Sequence, residues 1–144
     1  MALAESAAKY KYTRPIMTEK NILKITKGRH PLQELCVPAY VENDGFLVGG
    51  RGNSTQERGS RSDTVATEEE TEGPNVILLT GPNYSGKSVY LKQMALIVYM
   101  AHIGCFVPAE HAIVGITDKI LTRIQTRESV SKVNLTIFNK PLLD

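Results

Sequence analysis

The chemistry of this chain is concentrated in eight consecutive residues, Gly81, Pro82, Asn83, Tyr84, Ser85, Gly86, Lys87 and Ser88. Their spacing, G-x-x-x-x-G-K-S, is that of a phosphate-binding P-loop. Glycines let a backbone curl without steric penalty. The curl turns several N–H groups inward as a nest for an anion. A helix opening at Gly86 adds the positive end of its dipole. In such a loop Lys87 would reach the β- and γ-phosphates, and the Ser88 hydroxyl would ligate Mg²⁺. The expected ligand is a nucleoside triphosphate, ATP with Mg²⁺. The competing reading is a Gly-rich turn that binds nothing.

Holding phosphates is not hydrolysis. A hydrolytic P-loop protein also needs an acid at the end of a second strand to hold Mg²⁺. No four apolar residues followed by Asp-Glu occur downstream of Lys87. The nearest run, 113–118, is interrupted by Gly115 and Thr117, so Asp118 reads as a surface or capping residue. His30, in a Gly-Arg-His-Pro turn, reads as a hydrogen-bonded structural histidine. Tyr40 reads, on its own, as a core tyrosine rather than a ring stacked on a base. His102 and His111 match no zinc spacing, and Cys36 and Cys105 form no CxxC pair. Both thiols are expected to be reduced and buried.

Several elements must position the loop. Residues 76–79, Val-Ile-Leu-Leu, are a continuous apolar run, the pattern of a parallel strand buried on both faces. A helix is expected from 86 to 101, apolar on nearly every face in its second half, with Gly104 as its stop. Ile113, Val114 and Ile116 suggest a short strand, and 118–124 a further short element. Upstream, residues 1–12 look helical, with Pro15 ending the helix and Arg14 extended before it. A short strand is expected at 21–26 and a turn at 28–31. Another extended piece is expected within 38–48, around Tyr40 and Val41. Between 49 and 73 Val65 is the sole large apolar residue, so this segment reads as a disordered insertion and its acidic run 68–70 as a solvated linker.

The whole chain has 144 residues, enough for one modest domain. Its net charge of +2 makes no case for a nucleic-acid partner. No signal peptide is visible, and the longest apolar stretch, 94–101, is far too short to span a bilayer. The expectation is a soluble intracellular protein with no membrane partner.

Taken together, the blocks do more than match a general P-loop. Residues 81–93, Gly-Pro-Asn-Tyr-Ser-Gly-Lys-Ser-Val-Tyr-Leu-Lys-Gln, resemble the P-loop and following helix of the MutS family. Residues 95–110 look like that family's next segment, and 28–31 like the turn that opens its ATPase domain. Thr122, Arg123 and Ile124 look like the lead-in to its signature loop. Ser85 and 125–131 are most similar to the family's meiotic branch, which acts in crossing-over. The resemblance implies an α/β fold, an incomplete ABC-type P-loop NTPase domain preceded by the end of a long helix. Residues 1–15 would be the end of the lever, 16–131 the N-terminal part of the ATPase domain, and 132–144 a divergent tail.

The resemblance further implies head-to-tail dimerisation with another MutS homologue. It implies ATP-driven closure of a DNA clamp, work in mismatch repair or meiotic recombination, and a nuclear location. Tyr40 and Val41 fall where members contact the adenine. After 131 the chain departs from the family pattern, and 134–138 is a poor substitute for the Ser-Thr-Phe-Met-like segment that follows there. The expectation is a piece of a larger protein, or the product of an incomplete or misread gene model. One alternative is a nucleotide-holding product that does not hydrolyse. A small-molecule P-loop kinase is a further alternative, for which no Arg-rich lid is visible.

Overall fold

The computed structural model describes residues 2–49, 73–123 and 134–138. The expected insertion at 49–73 lies outside these residues but for its two ends, as do 125–131 and most of 132–144. A short helix, α1 (Ala2–Lys9), leads to β1 (Ile16–Thr18), β2 (Ile22–Gly28) and β3 (Asn43–Val48). Then come α2 (Lys87–His102), β4 (His111–Gly115), β5 (Lys119–Arg123) and β6 (Asn134–Phe138). This is a mixed α/β arrangement. Among the described residues, four strands form a sheet in the order β1-β4-β2-β3, and β5 pairs antiparallel with β6. β1 runs parallel to β4, while β2 is antiparallel to both its neighbours.

The sheet's period-two alternation builds the core. The register sets Leu23 opposite Val114 and Ile25 opposite Ala112, so all four side chains share one face. Helix α2 lies on that face. It presents Met94, Ile97, Val98 and Ala101, a stripe at helical spacing, to Leu23, Ile25, Ala112 and Val114. Ile97 and Val98 are wholly buried. Only this face, which also carries the buried Gln93, is sequestered; Tyr99 on the opposite side is exposed, so α2 is not apolar-packed all round as its composition suggests.

The far end of α2 closes as a Schellman motif. Gly104 sits at φ 77°, its N–H donates to Ala101 O at 3.1 Å, and the Cys105 N–H donates to Met100 O at 2.9 Å. His102 ties this end to the β4–β5 connection. Its Nε2 accepts the Thr117 N–H at 2.8 Å while Nδ1 meets Val98 O at 2.8 Å, which places the ring proton on Nδ1.

The elements at 21–26, 113–116 and 118–124 form as strands β2, β4 and β5. Others need correction. Helix α1 ends at Lys9, before Pro15 acts, because Lys11 turns to φ 53° and the Tyr12 N–H reaches back to Ala7 O. Tyr40 and Val41 precede β3 rather than lying in it. The Asn43 side chain donates to Val41 O at 2.9 Å, a local bond that turns the chain before the ladder begins. Cys36 is exposed, not buried, and Cys105 is half-buried; both are free thiols.

The largest correction concerns 76–79. Among the described residues no strand pairs with it, and Val76 and Leu78 are 74% and 85% exposed. A parallel strand hidden on both faces needs a neighbour on each side and cover above and below, and the β1-β4-β2-β3 sheet offers it no such place. The segment instead runs past β3, where Pro74 O accepts the Val48 N–H at 2.8 Å. No helix among the described residues is long and apolar enough to cross a membrane.

Candidate phosphate-binding site

The loop 81–86 joins the extended segment to the first turn of α2. Gly86 is the helix N-cap at φ 90°, a left-handed conformation that glycine adopts without strain. The Tyr90 N–H donates to Gly86 O at 2.9 Å as the first rung of the helix. The N–H groups ahead of it are those that every helix start leaves without helical partners. Tyr84 also lies at positive φ, 61°, and its side chain is 98% exposed at the loop tip.

Lys87 folds back over this loop. Its Nζ donates to Gly81 O at 2.6 Å, to Pro82 O, and to Ser85 Oγ at 3.3 Å. The ammonium thus stands across the loop entrance, with Ser88 next to it on the first turn of α2. A cationic donor, a helix start and a curled backbone converge on one point. Chemically this set suits an anion with several oxygens. Within 81–88 the structure joins Gly81, Pro82 and Ser85 to Lys87 by hydrogen bonds.

Tyr40 and Val41 are placed differently. Val41 is 79% exposed in the irregular stretch before β3. Tyr40 is partly buried, and its hydroxyl donates to Gln93 Oε1 at 2.9 Å. Its link is thus to the body of α2, six residues beyond Lys87. Burial raises the Tyr40 phenol above its ordinary pKa and keeps it a donor. Tyr90, on the first turns of the same helix, donates to Asp44 O at 2.9 Å. Beside it a cavity of about 330 Å³ opens between β2, β3 and Ile77. Its lining includes Lys24, Thr26, Asp44 and Phe46.

Gln93 went unnoticed in the sequence. The one signal available was an amide set among the apolar residues that follow it in α2. His30 is structural, as its turn suggested. It is buried, and its Nδ1 accepts the N–H groups of Leu32 at 3.2 Å and Gln33 at 3.3 Å. Nearby, Glu34 accepts the Tyr12 hydroxyl at 2.9 Å and pairs with Arg29 at 3.3 Å, pinning the end of α1 to this turn. Burial first, then the bond to Glu34, raises the Tyr12 phenol well above its usual value. Asp118 is exposed, and among the described residues no group of three or more His, Cys, Asp or Glu is placed to hold a metal.

Comparison with known proteins bears on what this geometry belongs to. Residues 77–140 match the family model MutS domain V. The chain is 44% identical over 133 residues to MutS protein homolog 5 of Saccharomyces cerevisiae, covering 92% of this chain and 14% of that protein. It is 40% identical over 134 residues to DNA mismatch repair protein MutS of Carboxydothermus hydrogenoformans, covering 92% of this chain and 13% of the relative. The protein of that name from Trichodesmium erythraeum is 43% identical over 124 residues, covering 85% of this chain and 13% of its own length. The chain thus spans about one seventh of the length of such relatives. With domain V sequence from 77 to 140 and identity running across nearly all of its length, this chain belongs to the MutS family.

Proposed function

We propose that residues 81–88 cradle the phosphates of Mg-ATP, and that the chain is the nucleotide-binding portion of a MutS-type ATPase acting in mismatch repair or meiotic recombination. The observation that carries the first part is the junction at Gly86. There a left-handed glycine opens a sixteen-residue helix, and Lys87 stands across the loop with its ammonium on the Gly81 and Pro82 carbonyls. On binding, Lys87 exchanges those carbonyls for phosphate oxygens, and the helix start faces the remaining charge. Mg²⁺, when bound, neutralises charge between the β- and γ-phosphates; Ser88 is the residue that would hold it. Tyr40 and Val41 would be the residues that meet the base, as the family resemblance implies.

The second part rests on family membership. The relatives carry the names mismatch repair protein and MutS homolog 5. In the intact protein the P-loop would sit in an ABC-type ATPase fold, DNA and a second MutS homologue would be the partners, and the nucleus the location. None of these is assigned to a residue here.

The test is equilibrium binding of a fluorescent ATP analogue with Mg²⁺. Removing a charge-assisted donor in Lys87→Ala should weaken it by tenfold or more, roughly 1.5–3 kcal/mol. Equal affinity for both forms would overturn the assignment.

A further inference from the structure

Gln93 is an expensive residue for its position. It is wholly buried on the face of α2 that meets the sheet, and its Nε2 has no hydrogen-bond partner among the described residues. A buried amide end left without a partner weakens a fold, whereas a methionine of similar length would fill the same space without that cost. A glycine packs beside it. A Cβ at Gly28 would come within 2.7 Å of both Gln93 Nε2 and Ile25 Cγ2 and 3.1 Å of Asn43 O, so the end of β2 is a tight place in which glycine leaves room for the amide and its neighbours. The unpartnered amide end is thus a group that core packing alone does not call for.

What the amide does is visible at its other end. Oε1 accepts the Tyr40 hydroxyl across 53 residues of sequence. Tyr40 lies in a stretch without helix or strand and is followed by the exposed Val41. The helix that carries Gln93 is the one that begins at Lys87.

We propose that Gln93 is a positioning residue for nucleotide recognition. It fixes the Tyr40 ring relative to the phosphate loop, so that one rigid helix sets the place of the phosphates and, through Tyr40, of the base. This rests on the reading above of 81–88 as the phosphate loop and of Tyr40 as a residue that meets the base. Gln93 touches no ligand itself; it acts through Tyr40. The chemistry recognised is the base of a nucleoside triphosphate, and a base-free polyphosphate is indifferent to the pair.

The full chain would be titrated with Mg-ATP and with Mg-tripolyphosphate, in wild type, Gln93→Met, Tyr40→Phe and the double variant. Gln93→Met should weaken ATP by about threefold to tenfold, the loss of one hydrogen bond, Tyr40→Phe by at least as much because its hydroxyl also bonds the His30 backbone, and each should leave tripolyphosphate within about twofold. The double variant should be no weaker than the worse single one. The thermal midpoint of Gln93→Met should equal or exceed that of wild type. Parallel losses for both ligands, or unchanged ATP affinity, would overturn the proposal. Should Gln93→Met fail to fold, Tyr40→Phe, which keeps the ring and removes the hydroxyl's bonds to Gln93 and to the His30 backbone, decides in its place. Lys87→Ala separates the two readings. If it spares both ligands, the phosphate loop is wrong. If it weakens both while Gln93→Met and Tyr40→Phe spare ATP, only the positioning role fails.

Discussion

His30 and Gln93 are the polar side chains buried in the described interior, and the two carry different consequences. The His30 ring accepts two backbone N–H groups through Nδ1, so it serves as the neutral form. Burial is the main influence holding its pKa below the ordinary 6.5; Lys92 lowers it further, while its own backbone hydrogen bond and Glu34 act the other way. Unfolded, the ring takes up its proton more readily than it does in place. Stability from this residue is therefore complete above pH 6.5 and declines as the pH falls below that value. Urea unfolding midpoints at pH 7.5 and 5.5 should show this loss. In His30→Asn, whose amide oxygen can accept the same N–H groups, the difference should shrink. An undiminished acid loss in that variant would exclude His30 as its source. At this scale the sequence was readable wherever the chemistry was local. Residues 81–88 are contiguous, and His30 bonds to residues only two to four places further on. Gln93 was opaque because its meaning depends on Tyr40, which is remote in sequence. Burial of Cys36 was misread for the same reason: apolar neighbours in sequence are not neighbours in space.

Among the elements, α2 was the most legible, since its glycines punctuate it at both ends. Gly104 turns at φ 77° with open space where a Cβ would stand, so the cost of a side chain there is conformational alone. Gly104→Ala should lower stability by about 1–2 kcal/mol, read as a shift of the urea midpoint with unchanged slope. A neutral result would mean that the helix ends otherwise. β3 was less legible. Its start is set by the Asn43 side chain bonding to Val41 O, a competition between side chain and ladder that apolar patterning does not register.

Among the described residues the packed core and the apolar segment 76–79 lie apart in exposure. Ile97 is fully buried against the sheet, while Leu78 is 85% exposed. Ile97→Ala should cost about 2–5 kcal/mol and Leu78→Ala no more than about 0.5 kcal/mol in equilibrium unfolding of the full chain. Similar losses for both would place 76–79 in the core after all. The strand expected there shows where sequence reasoning stops. Four consecutive apolar residues report that a segment is suited to burial, but the burial itself requires partner strands. Strands β2 and β4 were readable because their apolar residues meet in a register that buries them on one face, whereas β1, three residues with Ile16 and Met17 exposed, carries no such pattern.

The posture of Lys87 has one more consequence, in entropy. An exposed lysine that is immobilised on a ligand gives up about 1.5–2 kcal/mol of rotamer freedom. Lys87 is already held by two carbonyls and a hydroxyl of its own loop. Much of that freedom is lost when the loop folds, so an arriving anion meets a preorganised charge and need not order one.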